Sequence, residues 1–107
     1  MPEQVHLVYT TASSEAEAAR IATTVVDERL AACANIVPKI RSIYRWQGTV
    51  EDEAESLVFL KTRAKCVEAL IARIGELHTY EVPDVVALPI EAGHRPYLDW
   101  VVENTGT

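Results

Sequence analysis

The sequence predicts an α+β fold in which four strands form one sheet and helices pack on one face of that sheet. Two observations predict it: strand-like and helix-like segments alternate along the chain, and two unusually long strand-like segments stand between the two main helices. The 107 residues suit a single domain, and no linker, repeat or low-complexity segment divides them. We therefore expect one domain over residues 1–107.

The first strand and the first helix follow from local patterns. Residues 5–11 are rich in β-branched and aromatic side chains, which predicts a strand. Ser14 has Glu17 three residues after it, the spacing of a capping box, and this predicts the start of a helix that runs to about residue 31. Its apolar residues share one face, so the helix is expected to pack on the sheet.

A very long β-hairpin is predicted over residues 33–62, with its turn near Gly48. At about 3.3 Å per residue, arms of about a dozen residues reach roughly 40 Å, whereas a compact domain of this length has a radius of gyration of about 13 Å. The tip should therefore overhang the domain, and Tyr44 and Trp46 should lie where the chain's own core does not cover them. An exposed aromatic pair predicts a partner surface, which we take to be another copy of the chain.

Charges on the two arms suggest a register for the hairpin. A three-residue loop sets Arg45 opposite Glu51 and Arg41 opposite Glu55, and this complementarity favours that loop. A two-residue loop is the alternative, and it would set Arg45 opposite Val50.

The second half of the chain supplies a helix, a strand and a further helix. Apolar residues recur at helical spacing over residues 64–77, and residues 78–84 form a connector. Residues 85–90 are all apolar, which predicts a short strand in a central, buried position of the sheet. Pro96 suits the first turn of a last helix that runs through residue 102.

This order of elements, βαββαβ with an extra C-terminal helix, predicts a ferredoxin-like sandwich with a long central hairpin. Pro38 cannot donate a backbone hydrogen bond, so the first arm should lie at an edge of the sheet or carry a bulge there. Helices cover only one face of such a sheet. The other face would stay partly apolar and exposed, which together with the overhanging tip predicts self-association.

Composition excludes several classes of partner. Ten basic and sixteen acidic residues give a formal net charge of −6, which argues against nucleic acid and against anionic membranes as partners. The first residues lack the pattern of a signal peptide, and no apolar run approaches the ~20 residues that span a bilayer. We therefore expect a cytoplasmic protein in which Cys33 and Cys66 remain thiols.

Short segments spread over the whole chain resemble the CutA family of divalent-cation tolerance proteins. They are Thr10-Thr11 at the end of the first strand, LAACANI at 30–36, SIYRWQG at 42–48, Lys61-Thr62, LHTYEVPD at 77–84, ALPI at 87–90 and YLDW at 97–100. The resemblance implies a ferredoxin-like homotrimer whose long hairpins pair edge to edge between subunits, similar in outline to the PII signal-transduction proteins. It also implies a role in divalent-metal tolerance, with Cu(II) or another divalent cation as the metal.

The resemblance further implies a copper position. In bacterial members it consists of a Cys near the end of the first strand and two successive His before the Tyr of the connector. The matching positions are Thr10, Leu77 and His78, so only His78 retains a metal-binding side chain.

Two residues are candidate metal ligands from their chemistry. The neutral imidazole of His78 suits copper or zinc, and neighbouring copies could supply further ligands. The alternative is a histidine at a helix end that binds carbonyls or packs on Tyr80. Cys33 offers a soft thiolate, and its alternative is a buried thiol without a metal.

Four polar residues are candidates for the lining of a ligand cleft, either within one chain or between subunits: Lys61, Tyr80, Glu81 and Tyr97. Clefts of related trimers bind small anions or metabolites, so a PII-like signalling or interaction module is the alternative function. A buried hydrogen-bond network that holds the trimer together is the other interpretation of the same residues.

Two further expectations concern the acidic run and catalysis. Glu51, Glu53 and Glu55 alternate onto one face of the second arm, where we expect Arg41 and Arg45 to neutralise much of their charge. The sequence has no nucleophile elbow, no phosphate-binding glycine-rich loop and no zinc-protease motif, so we do not expect an enzyme.

Overall fold

In a computed structural model of the chain, which describes residues 3–106, four strands form one antiparallel sheet in the order β2-β3-β1-β4. The elements are β1 (Val5–Ala12), α1 (Glu15–Asp27), β2 (Cys33–Trp46), β3 (Thr49–Arg63), a 3-10 turn (Ala64–Cys66) that leads into α2 (Val67–Leu77), β4 (Val85–Pro89) and α3 (Arg95–Glu103). This order and topology are ferredoxin-like, so the predicted fold class is confirmed. None of the helices within residues 3–106 is long and apolar enough to cross a bilayer.

The hydrophobic core lies between the sheet and helices α1 and α2. Alternate strand residues point toward these helices and are buried there, because successive side chains of a strand face opposite sides. The core residues are Val8, Ala12, Ala18, Ile21, Ala22, Val25, Ala31, Val58, Leu60, Leu70 and Ile74. A second, smaller cluster of Val5, Leu98 and Val101 anchors α3.

Helix α1 begins where predicted and ends earlier. The Ser14 hydroxyl accepts a hydrogen bond from the backbone N–H of Glu17, as an N-cap does. The helix ends at Asp27, so the predicted end near residue 31 is wrong. Arg29 adopts a φ of 63°, and the N–H of Leu30 donates to the Val25 carbonyl. This is the Schellman arrangement that terminates helices, with arginine where glycine is the usual residue.

The hairpin turn has two residues, so the predicted three-residue loop and its register are wrong. Trp46 pairs with Thr49 and Arg45 pairs with Val50, which is the alternative register. Gln47 and Gly48 have φ values of 51° and 82°. Positive φ at both central residues is the mark of a type I′ turn, whose twist matches that of the two strands it joins.

The ion pairs of the hairpin change with this register. Arg41 lies opposite Ala54 rather than Glu55, and its guanidinium donates two hydrogen bonds to the Asp52 carboxylate, of 2.8 and 2.6 Å. Arg45 lies opposite Val50 rather than Glu51. The pairs expected from sequence, Arg41 with Glu55 and Arg45 with Glu51, therefore do not form.

A bulge interrupts β2 at Pro38, as predicted. Val37 pairs with Leu57 and Ile40 pairs with Glu55, so two residues of β2 stand opposite one residue of β3. The hydroxyl of Ser56, the residue opposite the bulge, donates to the Pro38 carbonyl at 2.6 Å. Strand β2 also forms one edge of the sheet, where a proline is tolerated.

Strand β4 forms the other edge, so the predicted central position is wrong. It pairs with β1 alone within the described residues, and its outward side chains Val86 and Leu88 are 42% and 46% exposed. Its other side chains, Val85 and Ala87, pack against the core. The strand is apolar throughout because the sheet is apolar on both faces, not because both faces are covered.

The open face of the sheet, which carries no helix over most of its area, is defined by the alternate residues Leu7, Tyr9, Val37, Leu57, Phe59, Val86 and Leu88. The hairpin extends beyond this sheet, and the molecule measures 46 × 25 × 22 Å. Tyr44 and Trp46 lie on the projecting part and are exposed. The predicted overhang and the predicted apolar open face are both present in the chain.

Candidate functional site

A cleft of about 440 Å³ lies between the hairpin and the connector that follows α2. Alternate residues of β2 form one wall, and the connector forms the other. The residues that line the cleft are Thr11, Ser42, Tyr44, Trp46, Glu55, Tyr80, Glu81, Val82 and Asp84. Its size is within the range of small-molecule sites, and none of the residues that line it is basic.

Glu55 is the most buried carboxylate of this cleft. Only 8% of the residue is exposed, and its Oε2 accepts a hydrogen bond of 2.5 Å from the Tyr80 hydroxyl. Within residues 3–106, no Lys, Arg or His forms an ion pair with Glu55. Burial of the phenol, together with the neighbouring Glu55, raises the pKa of Tyr80 well above its usual value, so Tyr80 remains a donor.

The connector is held at the end of β1 by Asp84. One carboxylate oxygen, Oδ1, accepts hydrogen bonds from the Thr11 backbone N–H at 3.2 Å and from the Thr11 hydroxyl at 2.6 Å. Glu81 is exposed at the cleft and makes no side-chain hydrogen bond with the other described residues. The cleft therefore presents one buried and two accessible carboxylates.

His78 lies beside the cleft, and its ring is buried. The Tyr80 backbone N–H donates to Nδ1 at 3.1 Å, so Nε2 carries the proton and donates to the Thr11 carbonyl at 2.7 Å. The ring also packs on that of Tyr80, with 4.6 Å between the ring centroids. Both ring nitrogens therefore form hydrogen bonds. These contacts match the alternative expected from sequence, a histidine at a helix end that binds a carbonyl and packs on Tyr80.

A buried carboxylate stands next to this histidine. Oε2 of Glu17 lies 3.7 Å from His78 Nδ1 and accepts hydrogen bonds from the Thr79 N–H and hydroxyl. Oε1 accepts from the Ser13 N–H and hydroxyl. Burial by itself would raise the pKa of Glu17, but these hydrogen bonds lower it to about 2.

Cys33, Lys61 and Tyr97 lie at the opposite end of the open face. The Cys33 sulfur is 3.3 Å from the Tyr97 hydroxyl, and burial together with this contact raises the pKa of Tyr97 to about 12. Lys61 Nζ donates to the Asn35 side chain at 3.0 Å and lies 5.8 Å from the centre of the Tyr97 ring. Cys33 is half-buried and unbridged.

The four residues predicted to line one cleft are therefore divided between two places. Tyr80 and Glu81 line the cleft, whereas Lys61 and Tyr97 do not. Lys61 is five positions along β3 from Ser56, the partner of the last residue of β1, which corresponds to about 17 Å. The structure thus leaves the cleft without the lysine that an anionic ligand would need.

The predicted metal ligands are not brought together either. Among residues 3–106, no group of three or more His, Cys, Asp or Glu side chains is arranged to hold a metal ion. His78 and Cys33 lie at opposite ends of β1, and Thr10 and Leu77, which match the copper position of the family, offer no ligand of that kind. A copper site built from one chain does not fit this geometry.

The hairpin also bears an acidic face, made of Glu51, Glu53 and Glu55. In the observed register these residues lie opposite Tyr44, Ser42 and Ile40, on the side of the hairpin that lines the cleft. Arg41 binds Asp52 on the other side, and Arg45 lies on that side too, so the expected neutralisation of this face is wrong. Burial and the charges of Glu53, Glu55 and Glu51 raise the pKa of Tyr44.

Sequence reasoning assigned Tyr44 and Trp46 to a subunit interface and overlooked their place in the cleft wall. It also overlooked Glu55 and Asp84 as cleft residues. The alternation of Ser42, Tyr44 and Trp46 on β2 is a signal that could have grouped the wall. The approach of the connector could not be read from sequence, because it depends on how α2 returns the chain to the end of β1.

Comparisons with known proteins agree with this fold. Residues 6–104 match the family described as CutA1 divalent ion tolerance protein. The chain is 52% identical over 104 residues to "Divalent-cation tolerance protein CutA" of Thermus thermophilus, covering 97% of this chain and 99% of that one. The chain is also 43% identical to "Protein CutA" of Mus musculus, and this match covers all of the chain but only 64% of the length of the mouse protein.

A solved structure shows the same architecture. The crystal structure of CutA1 from Oryza sativa superposes with a TM-score of 0.94 at 40% identity, covering 97% of this chain and 95% of that one. Family match, sequence identity and shared fold extend over nearly the whole chain, from β1 through the long hairpin to α3. The chain belongs to the CutA1 divalent ion tolerance protein family.

Proposed function

We propose that this protein acts in tolerance of divalent metal ions, copper among them, as a homotrimer in the cytoplasm. The observation that carries the proposal is the near full-length identity to a relative named for divalent-cation tolerance. The role is one of binding and assembly rather than catalysis. The two unbridged cysteines, Cys33 and Cys66, are consistent with a reducing compartment.

Assembly is supported by surfaces that a single chain leaves uncovered. The open face carries an exposed apolar strand, β4, and both edges of the sheet have unpaired backbone groups. Tyr44 and Trp46 project with the hairpin. A threefold arrangement of copies would cover these surfaces and provide partners for the strand edges.

Light scattering tests the trimer and should give about three times the mass of the chain. Trp46→Ala should weaken assembly by about 2 kcal/mol, since a buried tryptophan is a frequent anchor of interfaces. Ile43→Ala is the matched control, because Ile43 is exposed on the opposite side of the same strand. A stable monomer for the unmodified protein would overturn the proposed assembly.

A metal bound directly would need ligands from more than one copy, since His78 and Cys33 of one chain lie apart. Calorimetry of the assembled protein with Cu(II) and Zn(II) tests this, with His78→Ala and Cys33→Ala as variants and His94→Ala as the control. Absence of binding in the micromolar range, with all variants alike, would remove direct binding as the basis of tolerance.

The biological role has a separate test in cells. Bacteria that lack their own CutA relative and are made to express this chain should grow at copper concentrations that inhibit the parent strain. The Trp46→Ala variant should restore less growth if the trimer is the active form. Growth no better than that of cells with an empty vector would contradict the proposed role.

A further inference from the structure

The three residues that follow α3, Asn104 to Gly106, pack at the end of β3 that is remote from the hairpin turn. We propose that this segment, here called the strap, is held by Arg29 over the thiol of Cys66 and opens as a unit while the rest of the domain stays folded. The movement belongs to the single chain. It requires neither the metal nor the assembly proposed above.

Arg29 makes most of the hydrogen bonds that hold the strap. Its Nε donates to the Gly106 carbonyl at 2.6 Å, and its Nη2 donates to the carbonyl of Glu103, the last residue of α3, at 2.9 Å. The Arg29 carbonyl accepts from the Gly106 N–H at 2.9 Å. Among residues 3–106, the only other hydrogen bond to the strap from outside α3 runs from Arg63 Nη1 to the Thr105 carbonyl, at 3.3 Å.

The backbone at Arg29 indicates that its side chain has a use. A φ of 63° lies in the left-handed region, which glycine adopts without strain and arginine does not. Helix α3 has no basic residue in its last turn. Because the carbonyls at the end of a helix carry partial negative charge, the guanidinium of Arg29 supplies from the end of α1 the cation that α3 lacks. Arginine therefore ends one helix and caps another, whereas glycine could do only the first.

The strap covers the buried thiol of the chain. Cys66 is 9% exposed, and a methyl group placed on Gly106 would lie 3.9 Å from the Cys66 sulfur and 3.3 Å from Arg63 Nη1. Nε and Nη2 of Arg63 donate to the Glu3 carboxylate, which leaves Nη1 to face the strap. Movement of Gly106 away from Arg63 would therefore bring the Cys66 thiol into contact with solvent.

Little apolar surface holds the strap closed. Its side chains are those of asparagine, threonine and glycine, and the hydroxyl of the buried Thr105 donates only to carbonyls of α3. Helix α3 itself is anchored separately, by Leu98 and Val101. Segments with few buried apolar contacts open at a lower free energy than the whole domain. The strap can therefore open while Leu98 and Val101 stay in the core.

Alkylation of Cys66 by iodoacetamide at one pH, followed by mass spectrometry, measures how often the strap is open. Cys33→Ser removes the only other cysteine and is the background for every variant. We expect Arg29→Gln to react at least about tenfold faster than the background, because hydrogen bonds from a charged donor are lost. Arg95→Gln is the matched control: it removes an exposed arginine of α3 that pairs with Asp99, and it should react as the background does.

Two further variants separate the contacts from the strain. Arg29→Gly relieves the positive φ but removes the guanidinium, so it should react as fast as Arg29→Gln. Gly106→Ala leaves Arg29 in place and disturbs the other side of the strap, since the new methyl group would crowd Arg63 at a φ of 82°. It should also react faster, and it keeps the test decisive if a change at Arg29 impairs folding.

Urea and protein concentration distinguish opening of the strap from larger changes. Below the unfolding transition the alkylation rate should stay constant, since opening three residues exposes little surface. The rate should also be the same in dilute and concentrated protein, because no copies have to separate.

Four results would overturn the proposal. Equal rates in Arg29→Gln and Arg95→Gln would show that Arg29 does not hold the strap. Reaction of the folded background as fast as that of the unfolded chain would show that Cys66 is not covered. A rate that rises with urea in parallel with unfolding would exclude local opening. A rate that rises on dilution would assign the cover to another copy.

Discussion

Changing Glu17 to Gln should remove a pH-dependent part of this protein's stability. The carboxylate is buried at the start of α1 and accepts hydrogen bonds on both oxygens, from Ser13 and from Thr79. The bonds from Thr79 join the first turn of α1 to the connector, 62 residues further along the chain. Glutamine keeps the size of the side chain but has no negative charge to strengthen the four hydrogen bonds that Ser13 and Thr79 donate.

The magnitude follows from the pKa. Burial opposes ionisation, yet the hydrogen bonds from Thr79 and Ser13 lower the pKa of Glu17 from 4.5 to about 2. A shift of one unit corresponds to about 1.4 kcal/mol, so the ionised carboxylate contributes about 3 kcal/mol to the free energy of unfolding. Because the folded-state pKa is the lower one, this contribution is present above pH 4.5 and is lost as the pH falls toward 2.

Urea unfolding at a series of pH values, at one protein concentration, measures this effect. At pH 7 Glu17→Gln should be less stable than the unmodified protein by up to about 3 kcal/mol, and near pH 2.5 the difference should fall below about 1 kcal/mol. Glu15→Gln, an exposed position in the same helical turn, is the control. A difference that stays constant from pH 7 to pH 2.5 would refute the reasoning.

Three further substitutions test contacts described above by the same unfolding measurement. Tyr80→Phe removes the donor to the buried Glu55 and should cost about 1–3 kcal/mol, and an unchanged stability would mean that water replaces the phenol. Gly48→Ala should destabilise by about 1 kcal/mol because Gly48 has a φ of 82° in the turn. Gly75→Ala should stabilise by up to about 1 kcal/mol, since Gly75 lies in α2 with open space around it; a loss of stability there would contradict the helical argument.

Much of the architecture could be predicted because it depends on length and periodicity. The overhang of the hairpin follows from the number of residues in its arms, and the fold follows from the order of elements. The register could not be predicted in the same way. Cross-strand charge pairs such as Arg41 with Glu55 contribute about 0.2–1 kcal/mol, and the twist preference of a two-residue turn at Gln47 and Gly48 outweighed them.

The position of β4 shows a second limit of sequence patterns. A strand that is apolar on both sides is typical of the centre of a sheet, yet β4 lies at an edge, with Val86 and Leu88 on the open face. Composition reports that a surface is apolar and does not report what covers it. The expectation of an uncovered apolar face, made from the topology, was the better guide.

The candidate site was predictable only in part. Tyr80 and Glu81 are neighbours in the connector and both line the cleft, whereas Lys61 and Tyr97, which we expected in the same cleft, lie apart from them because of the length of the strand between. From sequence, Glu55 is one of three glutamates on a face that Arg41 and Arg45 are expected to neutralise. Its burial depends on the connector folding over β3, a contact between distant segments that periodicity does not reveal.

The bulge at Pro38 determines which charges the cleft contains. Before it, the even-numbered residues of β2 point toward the helices; after it, the even-numbered residues Ser42, Tyr44 and Trp46 point to the open side. If β2 paired with β3 residue by residue through Pro38 and Lys39, the pairing of Val37 with Leu57 would continue to Arg41 with Glu53 and Arg45 with Thr49. Arg41 and Arg45 would then lie on the open side, so the extra residue in this edge strand keeps the two cations away from the acidic face of β3.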